Sequence, residues 1–180
     1  LMGLFRKVGK KEQAIEAANN ALKLARRLGL EESASGATAL INAATVYKSF
    51  GLEDKSLPLF ERAMEIYLRE LDVNDARIGG LYNNFALALV DCKQFLSARK
   101  LYKQALEQMQ NVSSGDLEQA ITHLNIAELE ERELGLEQAN DKIRFHVEAA
   151  WELFNCPTLL RNGYYAFVCE KCASTFGYYG

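Results

Sequence analysis

Proline is nearly missing from the 180-residue sequence, which has only Pro58 and Pro157, so little interrupts helix formation. Long apolar runs are missing too. None approaches the ~20 residues needed to span a bilayer, so no membrane-spanning helix is expected within these residues. Excess charge of one sign is missing: 24 acidic residues against 21 Lys and Arg leave a net charge of -3. That is too little to make nucleic acid or an anionic membrane the main partner. Cysteine is sparse. Cys92, Cys156, Cys169 and Cys172 are not spaced as a disulfide framework, and reduced thiols in a cytoplasmic protein are the expectation. The signatures of catalysis are absent as well. There is no Gly-rich phosphate loop, no nucleophile elbow and no His-Glu-x-x-His. Basic and aromatic residues are not interleaved as single-stranded nucleic acid requires. The sequence thus offers no catalytic residue, no cofactor and no metal site of known type. Residue 1 is Leu and the chain opens inside a helical pattern, so the want of a signal peptide decides nothing.

What is present is repetition. Leu40-Ile-Asn-Ala-Ala-Thr-Val-Tyr47 resembles Tyr82-Asn-Asn-Phe-Ala-Leu-Ala-Leu89 and His123-Leu-Asn-Ile-Ala-Glu-Leu-Glu130. The asparagines Asn42, Asn84 and Asn125 lie 42 and 41 residues apart. A second set of anchors keeps the same period. Ala14, Ala18 and Ala21 match Ser56, Phe60 and Ala63, then Ala98, Tyr102 and Ala105, and finally Ala139, Ile143 and His146, one residue early. Two independent sets agree on one period and one deletion.

Each half of the unit reads as a helix. Leu40, Ala43, Ala44 and Tyr47 fall at i, i+3, i+4 and i+7, and Leu59, Phe60, Ala63, Ile66 and Tyr67 form a similar stripe. Short turns join the halves at Val8-Gly9-Lys10, Phe50-Gly51-Leu52, Cys92-Lys93-Gln94 and Leu134-Gly135-Leu136. Glycine predicts a left-handed cap in three of the four. Ser33, Asp75 and Ser114 are expected to cap the helices that open each unit. Ala44, Ala86 and Ala127 on one helix face Ser56, Ala98 and Ala139 on the next, so the pair can approach closely. Phe60, Tyr102 and Ile143 fill the space beside them, and Ala63 and Ala105 leave room for the following unit.

This pattern resembles the tetratricopeptide repeat, in the longer-helix form of kinesin light chains and many bacterial repeat proteins. The resemblance covers nearly all of residues 1–180. It implies an all-α fold, a right-handed superhelical solenoid of antiparallel hairpins. Repeats are expected at roughly 1–30, 33–72, 75–112 and 116–155, with a partial unit at 160–180, all in one domain. The fourth copy departs most: Glu130 stands where Tyr is expected, and His123 and His146 occupy inward points. A fifth first helix is expected from Leu160 to Phe176, with Cys172-Ala173 in the place of the apolar-Ala pair. Both ends fall inside a unit, so we expect a piece of a longer repeat protein. Its apolar ends, Leu1, Leu4 and Phe5 on one side and Tyr164, Tyr165, Phe167, Phe176 and Tyr178 on the other, favour end-to-end self-association.

Residues that invite a chemical reading have plainer ones. Cys169-Glu-Lys-Cys172 is a lone Cys-x-x-Cys without the strand of a redox fold, and it fits a buried helical stripe. His123 and His146 lie on facing stretches of one hairpin, near the helix that carries the two cysteines. Four such ligands would suit zinc. The spacing is not that of a zinc module, and the alternative is a partly buried pair, hydrogen-bonded to side chains or to each other. The carboxylates of Glu53-Asp54 and Glu128–Glu133 lie on continuous helix and read as a solvated face.

The resemblance implies that the first helices line a concave groove holding a peptide. Asn42, Asn84 and Asn125 would stand at matched heights in it, each amide offering a donor and an acceptor to a peptide backbone. Ile41, Thr45, Lys48 and Ser49, then Asn83, Leu87 and Asp91, then Glu128, Glu131 and Arg132 would surround them. The asparagines could instead tie neighbouring helices together, and both roles stay open. The expected function is a non-enzymatic scaffold for a protein or peptide, with no nucleic acid and no membrane as partner. The alternative is a peptide-sensing module of a larger bacterial regulator, similar to the repeat domains of peptide-pheromone receptors.

Overall fold

The computed structural model describes residues 1–112 and 115–154. The expected cap at Ser114, the cysteines Cys156, Cys169 and Cys172, the fifth first helix and the C-terminal aromatic residues lie outside them. The described residues form eight helices and no strand: α1 (Met2–Lys7), α2 (Lys11–Arg27), α3 (Ala34–Ser49), α4 (Glu53–Glu70), α5 (Ala76–Asp91), α6 (Phe95–Gln110), α7 (Asp116–Leu134) and α8 (Leu136–Phe154). The chain divides into two compact units, Leu1–Gln108 and Met109–Gly180.

In the first unit α3 packs on α2 before it and on α4 after it, α4 packs on α5, and α3 touches α5. The small residues set these approaches. Ala14, Ala18, Ala44, Ala63 and Ser56 are fully buried. Ser56 stands in the alanine position, and its hydroxyl is satisfied across the hairpin by donating to the Ala44 carbonyl at 2.9 Å. Phe60, also fully buried, stacks on Phe85 of the next first helix with ring centroids 5.5 Å apart. Tyr47 and Tyr67 keep their hydroxyls paired at the rim of the core: Tyr47 donates to Asn19 Oδ1 at 2.6 Å, and Tyr67 meets Thr38 at 2.7 Å. In the second unit α7 and α8 form one hairpin over Ala120, Leu124, Ala127, Ala139, Ile143, Val147, Ala150 and Phe154.

The helix ends follow from particular residues. Ser33 caps α3, its Oγ accepting from the Gly36 amide at 3.2 Å, and Asp75 caps α5 by accepting from the Arg77 amide at 3.0 Å. Gly36 is required by space: a Cβ there would lie 2.0 Å from the Leu30 carbonyl oxygen. At the turns Gly9, Gly51 and Lys93 have φ of 70, 69 and 58°. In each, the next amide bonds to the carbonyl five residues back: Lys10 to Phe5 at 2.9 Å, Leu52 to Tyr47 at 3.0 Å and Gln94 to Leu89 at 2.9 Å. This is the Schellman closure, with a lysine taking the place of glycine in the third turn. The fourth turn differs from expectation. Helix α7 runs through Leu134, and Gly135 alone makes the reversal with φ 79 and ψ 159°. That pair of angles lies outside the left-handed helical region, in ground open almost only to glycine.

Candidate functional site

Helix α5 is apolar on nearly every side and is enclosed accordingly. Between Ile78 and Val90 only Gly80, Asn84 and Leu87 escape full burial. With Arg77 before them and Asp91 after, they mark one line along the helix. The same line one repeat earlier holds Ser35, Thr38, Asn42, Thr45 and Ser49 of α3, exposed except for the half-buried Thr45. The two stripes are 42 residues apart at every position. Lys48 and Asp91 join the last turns of α3 and α5 at 3.3 Å. At the other end Arg77 is held by Asp75 at 2.6 Å and lies over the Tyr67 ring, 5.8 Å from its centroid. The guanidinium of Arg77 and the Arg77 amide hold the Asp75 carboxyl down at about 2. These charges are matched in pairs, so the stripes between them present hydroxyls, the two amides of Asn42 and Asn84, and one leucine.

The predicted site residues take different places. Asn42 is exposed and makes no hydrogen bond with the described residues. Asn84 is half-buried, and its Nδ2 donates to the Gly80 carbonyl at 2.8 Å. This bond to the residue one turn earlier is a common use of a short polar side chain within a helix. Asn83 and Asn125 are buried, at 6% and 3% exposure, and each is engaged within the protein. The three repeat asparagines therefore do not share one environment, although they share one register. Thr45 donates to the Ile41 carbonyl and Ser49 to that of Thr45, both at 2.8 Å. In the second unit Glu128 and Arg132 are exposed and pair one turn apart at 3.6 Å. Sequence reasoning missed Ser35, Thr38 and Gly80. The signal was present, since each lies one or two turns from a repeat asparagine on the same helical face.

Two polar pairs clasp α7 to α8. The Nδ1 atoms of His123 and His146 are 2.9 Å apart. Farther along, Lys142 Nζ meets the Glu130 carboxylate at 3.2 Å. Sequence reasoning placed the histidines on facing stretches, and the structure joins them to each other. The cysteines weighed with them lie outside the described residues, among which no group of three or more His, Cys, Asp or Glu side chains converges as a metal site would.

Residues 3–69 match the family model of the tetratricopeptide repeat. Among solved structures, BtubC (BKLC) from P. vanneervenii aligns with a TM-score of 0.73 at 24% identity, covering 91% of this chain and 63% of that one. The nearly identical TPR-like repeats assigned to a kinesin light chain of Podosopora anserina align with a TM-score of 0.71 at 15% identity, covering 97% and 84%. The chain has the tetratricopeptide-repeat fold. It spans 63% of the length of BtubC. A search of curated protein sequences gives no match.

The tetratricopeptide pattern also shows where this chain departs and how each departure is met. Serine in the small position, Ser56, is bonded to Ala44. Glutamate in the tyrosine position, Glu130, is 3% exposed and draws in Lys142 from the paired helix. No helix among the described residues is long and apolar enough to cross a membrane.

Proposed function

We propose that this chain is a non-enzymatic scaffold that binds a protein or peptide along the open stripe of its first helices, as tetratricopeptide repeats in general are protein–protein interaction scaffolds. Within Leu1–Gln108 the contacting residues are Asn42, Thr45, Asn84 and Leu87, with Asn83 beneath them. Within Met109–Gly180 they are Glu128 and Arg132, with Asn125 beneath. The observation that carries this reading is the enclosure of α5 on all sides but one. The side left open repeats on α3, 42 residues earlier, in polar groups suited to a peptide backbone. The charges that flank the stripe in the first unit are already matched, which favours a ligand segment of low net charge there. No catalytic residue and no cofactor enters this function.

The test uses a peptide selected against the chain from a random display library. Thr45→Arg and Leu87→Glu each put a long charged side chain on the stripe and should weaken the dissociation constant about ten-fold or more, about 1.4 kcal/mol. Lys103→Glu, at an exposed site on the second helix α6, should leave it unchanged. Peptides that lose affinity with Lys103→Glu, and tolerate both stripe variants, would refute the assignment.

A further inference from the structure

The two histidines of the second unit lie off the stripe, and their geometry sets a rule about protons. Their Nδ1 atoms stand 2.9 Å apart, with ring centroids 5.2 Å apart and planes tilted by 37°. Two ring nitrogens this close need one hydrogen between them. A neutral ring can donate to the bare Nδ1 of the other, and an imidazolium can donate to a neutral ring. When both rings are protonated, each Nδ1 carries a hydrogen aimed at the other. The bond is then gone and two positive charges are opposed.

The position of the pair makes this matter. His123 lies 12 residues before Gly135 and His146 lies 11 after it, far from the turn that links the two helices. The side-chain contact clasps the hairpin just beyond its midpoint, about three helical turns from Gly135. Among the described residues, Lys142, one turn before His146 on α8, and Glu130, two turns after His123 on α7, share this seam. They meet each other at 3.2 Å. Phe145 sets its ring edge-on to His146, with centroids 5.1 Å apart.

We propose that His123 and His146 form a proton-counting latch, which clasps α7 to α8 while the pair holds at most one extra proton and releases them on taking a second. Burial supports this, since it holds His123 below the ordinary histidine pKa of 6.5. The sign follows from linkage. In the unfolded chain both rings titrate near 6.5, and in the folded hairpin the second proton binds only at lower pH. The unfolded state then binds more protons below about pH 6.5. Stability from the latch is therefore present above that pH and is lost as the pH falls toward the folded-state value of the second step.

These are the only two histidines of the chain, so their ring signals can be followed without ambiguity in the intact 180-residue protein. Nuclear magnetic resonance from pH 8 to 4.5 should show two titration steps separated by more than one pH unit. The melting temperature should fall by several degrees between pH 7 and 5. In the double variant His123→Gln/His146→Gln that fall should shrink. Independent titration of both rings near 6.5 in the wild-type chain would overturn the latch, whether or not the variant folds.

Discussion

Lys93 adopts a positive φ of 58°, whereas Gly9 and Gly51 hold the same place in the two preceding turns. A side chain in the left-handed region crowds its own carbonyl at a cost of about 1–2 kcal/mol. Lys93→Gly removes that cost. It also frees the unfolded chain, which gives back about 0.4–1 kcal/mol. The lysine side chain is exposed and makes no hydrogen bond or ion pair with the described residues, so nothing else is lost. The net effect should be a stabilisation of about 0.5–1 kcal/mol, or a rise of about 1–4 °C in melting temperature for a chain of this size. The Schellman bond from the Gln94 amide to the Leu89 carbonyl should remain. The reciprocal change isolates the backbone term. A Cβ at Gly51 would meet nothing within 4 Å, so Gly51→Lys tests conformation without a clash and should destabilise by about 1–2 kcal/mol. Urea unfolding of both variants decides the matter. A neutral or destabilising Lys93→Gly beside a harmless Gly51→Lys would refute the reasoning.

Gly36→Ala should cost about 1–3 kcal/mol in the same assay, because its methyl group must displace the Leu30 carbonyl. Asp75→Ala should cost about 1 kcal/mol at neutral pH by removing the cap of α5. The contribution of the Asp75 carboxylate is present above its ordinary pKa of 3.8 and is lost as the pH falls from there to about 2. Acid unfolding curves of wild type and Asp75→Ala should therefore converge across that window.

The architecture was legible because it rests on residues that recur at fixed spacing. Ala44 and Ser56, Ala86 and Ala98, and Ala127 and Ala139 are anchors separated by 12 residues across a hairpin, and every one of them is buried. Ser33 and Asp75 cap as their chemistry predicts. The conformation of Gly135 was not legible, because it depends on where α7 stops. Leu134, the last residue of that helix, packs against the second core. The asparagines show the deeper limit. Register assigns Asn42, Asn84 and Asn125 the same helical face, but exposure depends on what lies over that face. Polar pairs between helices fall between these extremes. Glu130 and Lys142 are 12 residues apart across a turn, the separation that joins Ala44 to Ser56, so that bridge could have been read from the hairpin geometry.

Asn42 and Asn125 occupy one register in two environments, and together they test the binding face most directly. For a peptide selected against the chain, affinity and melting temperature are measured on the same two variants. Asn42→Ala removes an exposed amide with no partner among the described residues, so stability should stay within about 0.5 kcal/mol of wild type. The peptide should lose about 0.5–1.5 kcal/mol of affinity, or about two- to ten-fold in the dissociation constant. Asn125→Ala removes a buried, engaged amide and should lower stability by about 1–3 kcal/mol. If Asn42→Ala binds the peptide as tightly as wild type but melts earlier, the open stripe is a structural seam and not the binding face.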